Sequence, residues 1–153
     1  MALTKVQDGG LNLTGEGLPA GSVLQVVSMT SSANNSFTSS TYADTAYTLN
    51  ITPSSTSNKI FVLWSAEVTV QGDSNFGLRL TRGGTEIVEP FVSAGNFGSA
   101  NQHGHGYSFN FLDSPSTTSQ TTYVVQAKEN ASGTLRITGE GGTGSLTLME
   151  IAG

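Results

Sequence analysis

Two histidines, His103 and His105, flank one glycine and give this chain its most suggestive chemical spacing. At positions i and i+2 of an extended segment, both imidazoles point to the same side. Two nitrogens are few for a metal ion, because protein sites usually supply three or more ligands. A symmetric trimer with the segment on its axis would gather six nitrogens, whereas a plain polar loop would give the pair no role. The expectation is therefore no metal site. The residues around the pair suggest a second chemistry. Asn96, Phe97, Asn101, Gln102, His103, His105 and Tyr107 mix amides with aromatic rings, as do surfaces that recognise a glycan or a protein receptor. Most of them fall in residues 93–106, SAGNFGSANQHGHG, which read as a long loop, and long loops carry function more often than short ones.

Catalytic signals are sparse. The chain has no cysteine, hence no thiol nucleophile and no disulfide. It has no Gly-x-Ser-x-Gly elbow and no phosphate-binding loop. Gly139-Glu140-Gly141-Gly142 is glycine-rich, but no helix follows it, so a dinucleotide site is not expected. Among the carboxylates, Asp113 precedes Ser114-Pro115 and reads as a turn cap. Glu150 reads as an outward charge on the last strand, and Glu67 as a cross-strand partner of Arg79. No two carboxylates pair as acid and base. The chain is expected not to be an enzyme and to need no cofactor.

The elements that would position these residues are strands. Val23–Met29 is β-branched and apolar, and Ala46–Ile51 alternates polar with apolar. Lys59–Val70, KIFVLWSAEVTV, is the longest apolar run, and places Trp64, Ala66, Val68 and Val70 on one face. Gln71-Gly72-Asp73-Ser74 reads as a hairpin loop. Phe76, Leu78 and Leu80 alternate with Arg79. Gly83-Gly84 is a two-residue hairpin turn, since both positions accept positive φ. Further strands are expected at 85–92, 107–112, 121–127, 135–138 and 146–151. Residues 30–41 read as a polar loop. No helix is expected. Eight or nine strands with short turns point to an antiparallel β-sandwich.

Composition narrows the class. Ser, Thr and Gly fill 59 of the 153 positions, while only 17 residues are charged. Helix formers are scarce, and a net charge of −5 argues against nucleic acid. No apolar run reaches about 18 residues, so no membrane insertion is expected, and the N-terminus lacks a signal-peptide pattern. Residues 1–18 are glycine-rich with isolated Leu3, Val6, Leu11 and Leu13. They read as an arm that orders against a partner, ahead of a domain at 19–153.

Several segments together resemble a known family: PAGSVLQVVS (19–28), ITPSSTSNKIFV (51–62), GLRLTRGGTEI (77–87), FNFLDSPSTTSQTTYVVQ (109–126) and LTLMEI (146–151). They resemble β-rich structural domains of tailed bacteriophages, notably cyanophages, that often form the distal part of tail-fibre-like proteins. The resemblance implies a virion protein, trimeric in that family's manner, with a jelly-roll-like sandwich. Some phage fibre shafts also carry a His-x-His pattern. Because only about 18 residues precede the domain, the expectation is a short tail fibre or fibre tip, anchored by the arm and contacting host glycan or protein. A capsid decoration or head-fibre protein is the alternative, and a free carbohydrate-binding module a lesser one.

Overall fold

The computed structural model describes residues 18–72, 75–91, 102–138 and 141–153. They form an all-β sandwich of two antiparallel sheets, with no helix among them. The strands are β1 (Val23–Ser31), β2 (Asn35–Phe37), β3 (Ala43–Ile51), β4 (Lys59–Gln71), β5 (Phe76–Arg82), β6 (Thr85–Phe91), β7 (Gln102–Asp113), β8 (Thr121–Glu129), β9 (Thr134–Ile137) and β10 (Gly144–Ile151). In the first sheet β4 is central. Along one side it pairs with β7, and along the other with β10 and then β9, which carry β1 and β2 outside them. The second sheet runs β3-β8-β5-β6. Without the short β2 and β9, the orders 1-10-4-7 and 3-8-5-6 make a jelly roll of eight strands.

The core lies where the period-two pattern places it. Ile60, Val62, Trp64, Ala66, Val68 and Val70 of β4 all face inward. They meet Phe76, Leu78 and Leu80 of β5 and Tyr123, Val125 and Ala127 of β8, all fully buried. Trp64 stacks at 5.3 Å on Phe109 and edge-on at 5.8 Å on Tyr47, a geometry worth about 0.5–1.5 kcal/mol beyond burial. Gly83 and Gly84 turn β5 into β6 with φ of 55° and 82°, as the two-glycine signal requires.

Three sequence expectations fail here. The residues after β4 do not close a hairpin, because β4 and β5 lie in opposite sheets. The turn chemistry at Gln71-Gly72 serves a crossing between layers equally well. The polar stretch 30–41 contains β2, which pairs with β9. Residues 102–106 are the first part of β7, whose twelve-residue pairing with β4 begins at Gln102 opposite Gln71. Two glycines and two histidines conceal that strand, since none has a strong strand preference.

Candidate functional site

Of the expected recognition residues, β7 brings three together. His103, His105 and Tyr107 sit opposite Val70, Val68 and Ala66 and share one strand face. The expected same-side placement of the two imidazoles thus holds, but on a strand rather than a loop. Tyr107 is half-buried and meets the rings of Phe76 and Phe91 edge-on at 5.4 and 5.5 Å. His105 is exposed and His103 half-buried. Asn96, Phe97, Asn101 and the Gln102 side chain lie outside the described residues, as do Leu3, Val6, Leu11 and Leu13. Among the described residues no three His, Asp or Glu side chains converge.

The carboxylates hold the fold together. Glu150 is 1% exposed, not outward-facing, since the period of two places it on the inner face with Leu146 and Leu148. Its oxygens accept hydrogen bonds from Gln25 (2.6 Å), from the Ser54 backbone and hydroxyl (2.6 and 2.8 Å) and from Asn58 (2.6 Å). Burial pushes its carboxyl up, but the donors from Asn58, Gln25 and Ser54 outweigh this and hold it below the usual carboxylate range. Asp113 does not cap the following turn. It ends β7 and takes both Arg82 contacts, at 2.8 and 2.7 Å, with the Tyr123 hydroxyl at 2.6 Å. Burial, then that bond to Asp113, pushes the Tyr123 phenol well above its ordinary range. The segments TPSSTSNKI (52–60) and FLDSPSTTSQTTY (111–123) therefore supply Ser54 and Asn58 of one cage, and Asp113 and Tyr123 of the other.

Glu67 and Arg79 do not pair, because they belong to different sheets. Arg79 bonds Gln126 at 2.7 Å and Glu86 at 2.8 Å. Glu67 accepts from the Thr69 hydroxyl at 3.1 Å and lies flat over the sheet. A Cβ at Gly104 or Gly142 would come within 3.0 or 2.8 Å of its oxygens, so glycine at both positions gives it room.

Sequence reading misses the largest feature, the outer face of the first sheet. The registers align Leu112 of β7, Phe61 of β4, Met149 of β10 and Val26 of β1 in one row across four strands. Leu63 stands beside the row, and Val23 and Ile151 extend it. Val26 is 54% exposed, Val23 51%, Leu112 47% and Leu63 36%. The next rows are neutral: Asn110, Leu63, Thr147 and Ser28, then Ser108, Ser65, Ser145 and Thr30. A shallow depression of about 310 Å³ opens beside Ser65, Gly106, Ser108 and Thr143. Among the strand residues of this sheet, only Lys59, Glu67 and Arg136 carry charge on that face: Lys59 at one end, and Glu67 and Arg136 beyond the Ser65 row.

No family model and no curated protein matches the sequence. Solved structures with a similar arrangement include the insecticidal delta-endotoxin Cry8Ea1 of Bacillus thuringiensis, at 17% identity and TM-score 0.38, covering 77% of this chain and 19% of the toxin chain. The VP2 subviral particle of infectious bursal disease virus aligns at 9% identity and TM-score 0.43, covering 84% of this chain and 37% of VP2. The Gx strain of that virus aligns at 13% identity and TM-score 0.42, over 84% and 37% of the two chains. This chain thus spans well under half the length of each. At such distances the likeness concerns the sandwich only and carries no functional argument.

Proposed function

We propose that this chain is a structural protein of a tailed-bacteriophage virion, a short tail fibre or fibre tip that assembles as a homotrimer and meets the host surface. The carrying observation is the run of segments from 19 to 151 that resembles phage fibre-like domains. Two of those segments, TPSSTSNKI and FLDSPSTTSQTTY, frame the sandwich through the Glu150 and Asp113 cages. In this reading Leu3, Val6, Leu11 and Leu13 anchor the arm to other virion proteins, and residues 96–107 contact a host glycan or protein.

The reading is non-enzymatic. Each of the seven carboxylates among the described residues accepts a hydrogen bond from its own chain. The flat, charge-poor face of the first sheet also suits a protein seated on a capsid lattice, which keeps a decoration protein as the second reading. Antibody labelling of purified particles in the electron microscope tests both. Label at the tail supports the fibre, and label over the head, at tens to hundreds of copies, supports the decoration protein. A chain absent from particles overturns the virion assignment.

A further inference from the structure

We propose that the outer face of the first sheet is the surface on which this chain binds a second copy of itself. The inference rests on the self-assembly part of the reading above and is independent of where on a virion the chain stands.

Three observations carry it. The first is area. The face is four strands wide, with β4 and β7 running its length. At about 4.8 Å between strands and about 3.3 Å per residue, it measures roughly 19 by 40 Å, or about 750 Å². A stable complex buries about 800 Å² per partner, so one sheet face meeting another is close to sufficient.

The second is charge. Copies of a chain with net charge −5 repel each other. A contact between them is favourable where that charge is absent. The row from Leu112 to Val26 and the hydroxyl rows beside it hold no charged side chain; Lys59 stands at one end of the face, and Glu67 and Arg136 lie beyond the Ser65 row on its other half.

The third is pattern. Sheets stack face to face with strands about 30° apart. The apolar row crosses all four strands, so a copy packed on this face covers it, while Ser28, Thr30, Ser65, Ser108 and Ser145 border it on one side with polar groups that tolerate water. An apolar patch bordered by polar side chains is ordinary in a protein interface. The first described residues lie near the same end of the sheet, where Gly21 and Ser22 bond Ala152. A single extended segment would cover the apolar row but not the hydroxyl rows beside it.

Sedimentation of the full chain tests the proposal. The native protein and the control Asn50→Lys, which alters the exposed outer side of β3, should sediment at a multiple of 15.8 kDa. Leu63→Lys and Val26→Lys should each weaken association at least about thirtyfold and give monomers with unchanged far-UV circular dichroism. Two independent variants guard against one misfolding. If both lysine variants stay assembled with native affinity, the face is wrong although self-assembly stands. A monomeric native chain overturns both. In such a monomer, a rise in hydrophobic-dye binding on joint Leu11→Ser and Leu13→Ser substitution would give the row to the arm instead.

Discussion

The two sheets turn very different faces outward. On the second sheet, a row of polar side chains closes on itself from edge to edge: Gln126 donates to Asp44 at 2.6 Å, Arg79 donates to Gln126 at 2.7 Å and to Glu86 at 2.8 Å. Tyr42 lies flat beside that row, with the Arg79 guanidinium 4.1 Å and the Lys128 ammonium 4.4 Å from its ring centre, and its hydroxyl donates to Glu89. Burial, then the bond to Glu89, pushes the Tyr42 phenol well above its ordinary range, so it stays a donor. On the first sheet the corresponding row is Leu112, Phe61, Met149 and Val26. One face is completed by its own side chains. The other leaves apolar area exposed to water, at roughly 25 cal/mol per Å². The difference teaches that the scarcity of charge in this chain is concentrated on one side, the face proposed above to meet a second copy.

The comparison depends on a sandwich that holds both faces in place, so the largest expected effect comes from breaking that frame. Asp113 joins the first sheet to Arg82 and Tyr123 of the second. Asp113→Ala leaves the buried Tyr123 hydroxyl without its acceptor and should cost about 3–4 kcal/mol, read by urea denaturation of the monomeric Leu63→Lys background. A cost below about 1 kcal/mol would mean that the sheets are joined by apolar packing alone.

A smaller effect separates the two faces by pH. Glu150 supports the edge of the first sheet through β1 and the 52–58 turn. Its folded pKa is depressed, so unfolding takes up a proton. Its stabilisation is complete above the unfolded value of about 4.3 and disappears as pH falls through the folded one. The stability difference between the native chain and Glu150→Gln should therefore be largest at neutral pH and shrink on acidification. A pH-independent difference would contradict the cage.

The smallest effect lies on the completed face. Gly77 is buried beneath Tyr42 and Lys128, and a Cβ there would stand 2.8 Å from Lys128 Cε and against the Tyr42 hydroxyl. Gly77→Ala should displace the tyrosine and cost about 1–2 kcal/mol without changing the mass of the assembly. A change in mass would place the second sheet in the contact as well.

Much of the frame was legible along the chain. Alternation showed the inward faces of β4 and β5, and Gly83-Gly84 showed its turn, because these signals are local. What was not legible depended on partners distant in sequence. Glu150 looks like a surface charge until Ser54 and Asn58, 96 and 92 residues away, are seen to donate to it. Gln71-Gly72 cannot say whether the chain turns back within one sheet or crosses to the other. The apolar row is invisible in one dimension, since Val26, Phe61, Leu112 and Met149 each sit beside inward-facing apolar residues (Val27, Ile60 and Val62, Phe111, Leu148) and meet each other only through strand register. The His-Gly-His pair was correctly given one side, yet its strand was missed because glycine gives no alternation to read.

Because the chain has no cysteine of its own, a single introduced thiol reports one face at a time. Ser65→Cys places it in the middle of the first sheet's outer face, and Asn50→Cys on the second sheet. Maleimide labelling of the assembled proteins is the most direct test of the account. It predicts slow modification at position 65 that becomes fast on dilution to monomers, and fast modification at position 50 throughout. Equal rates at both positions, unaffected by dilution, would contradict it.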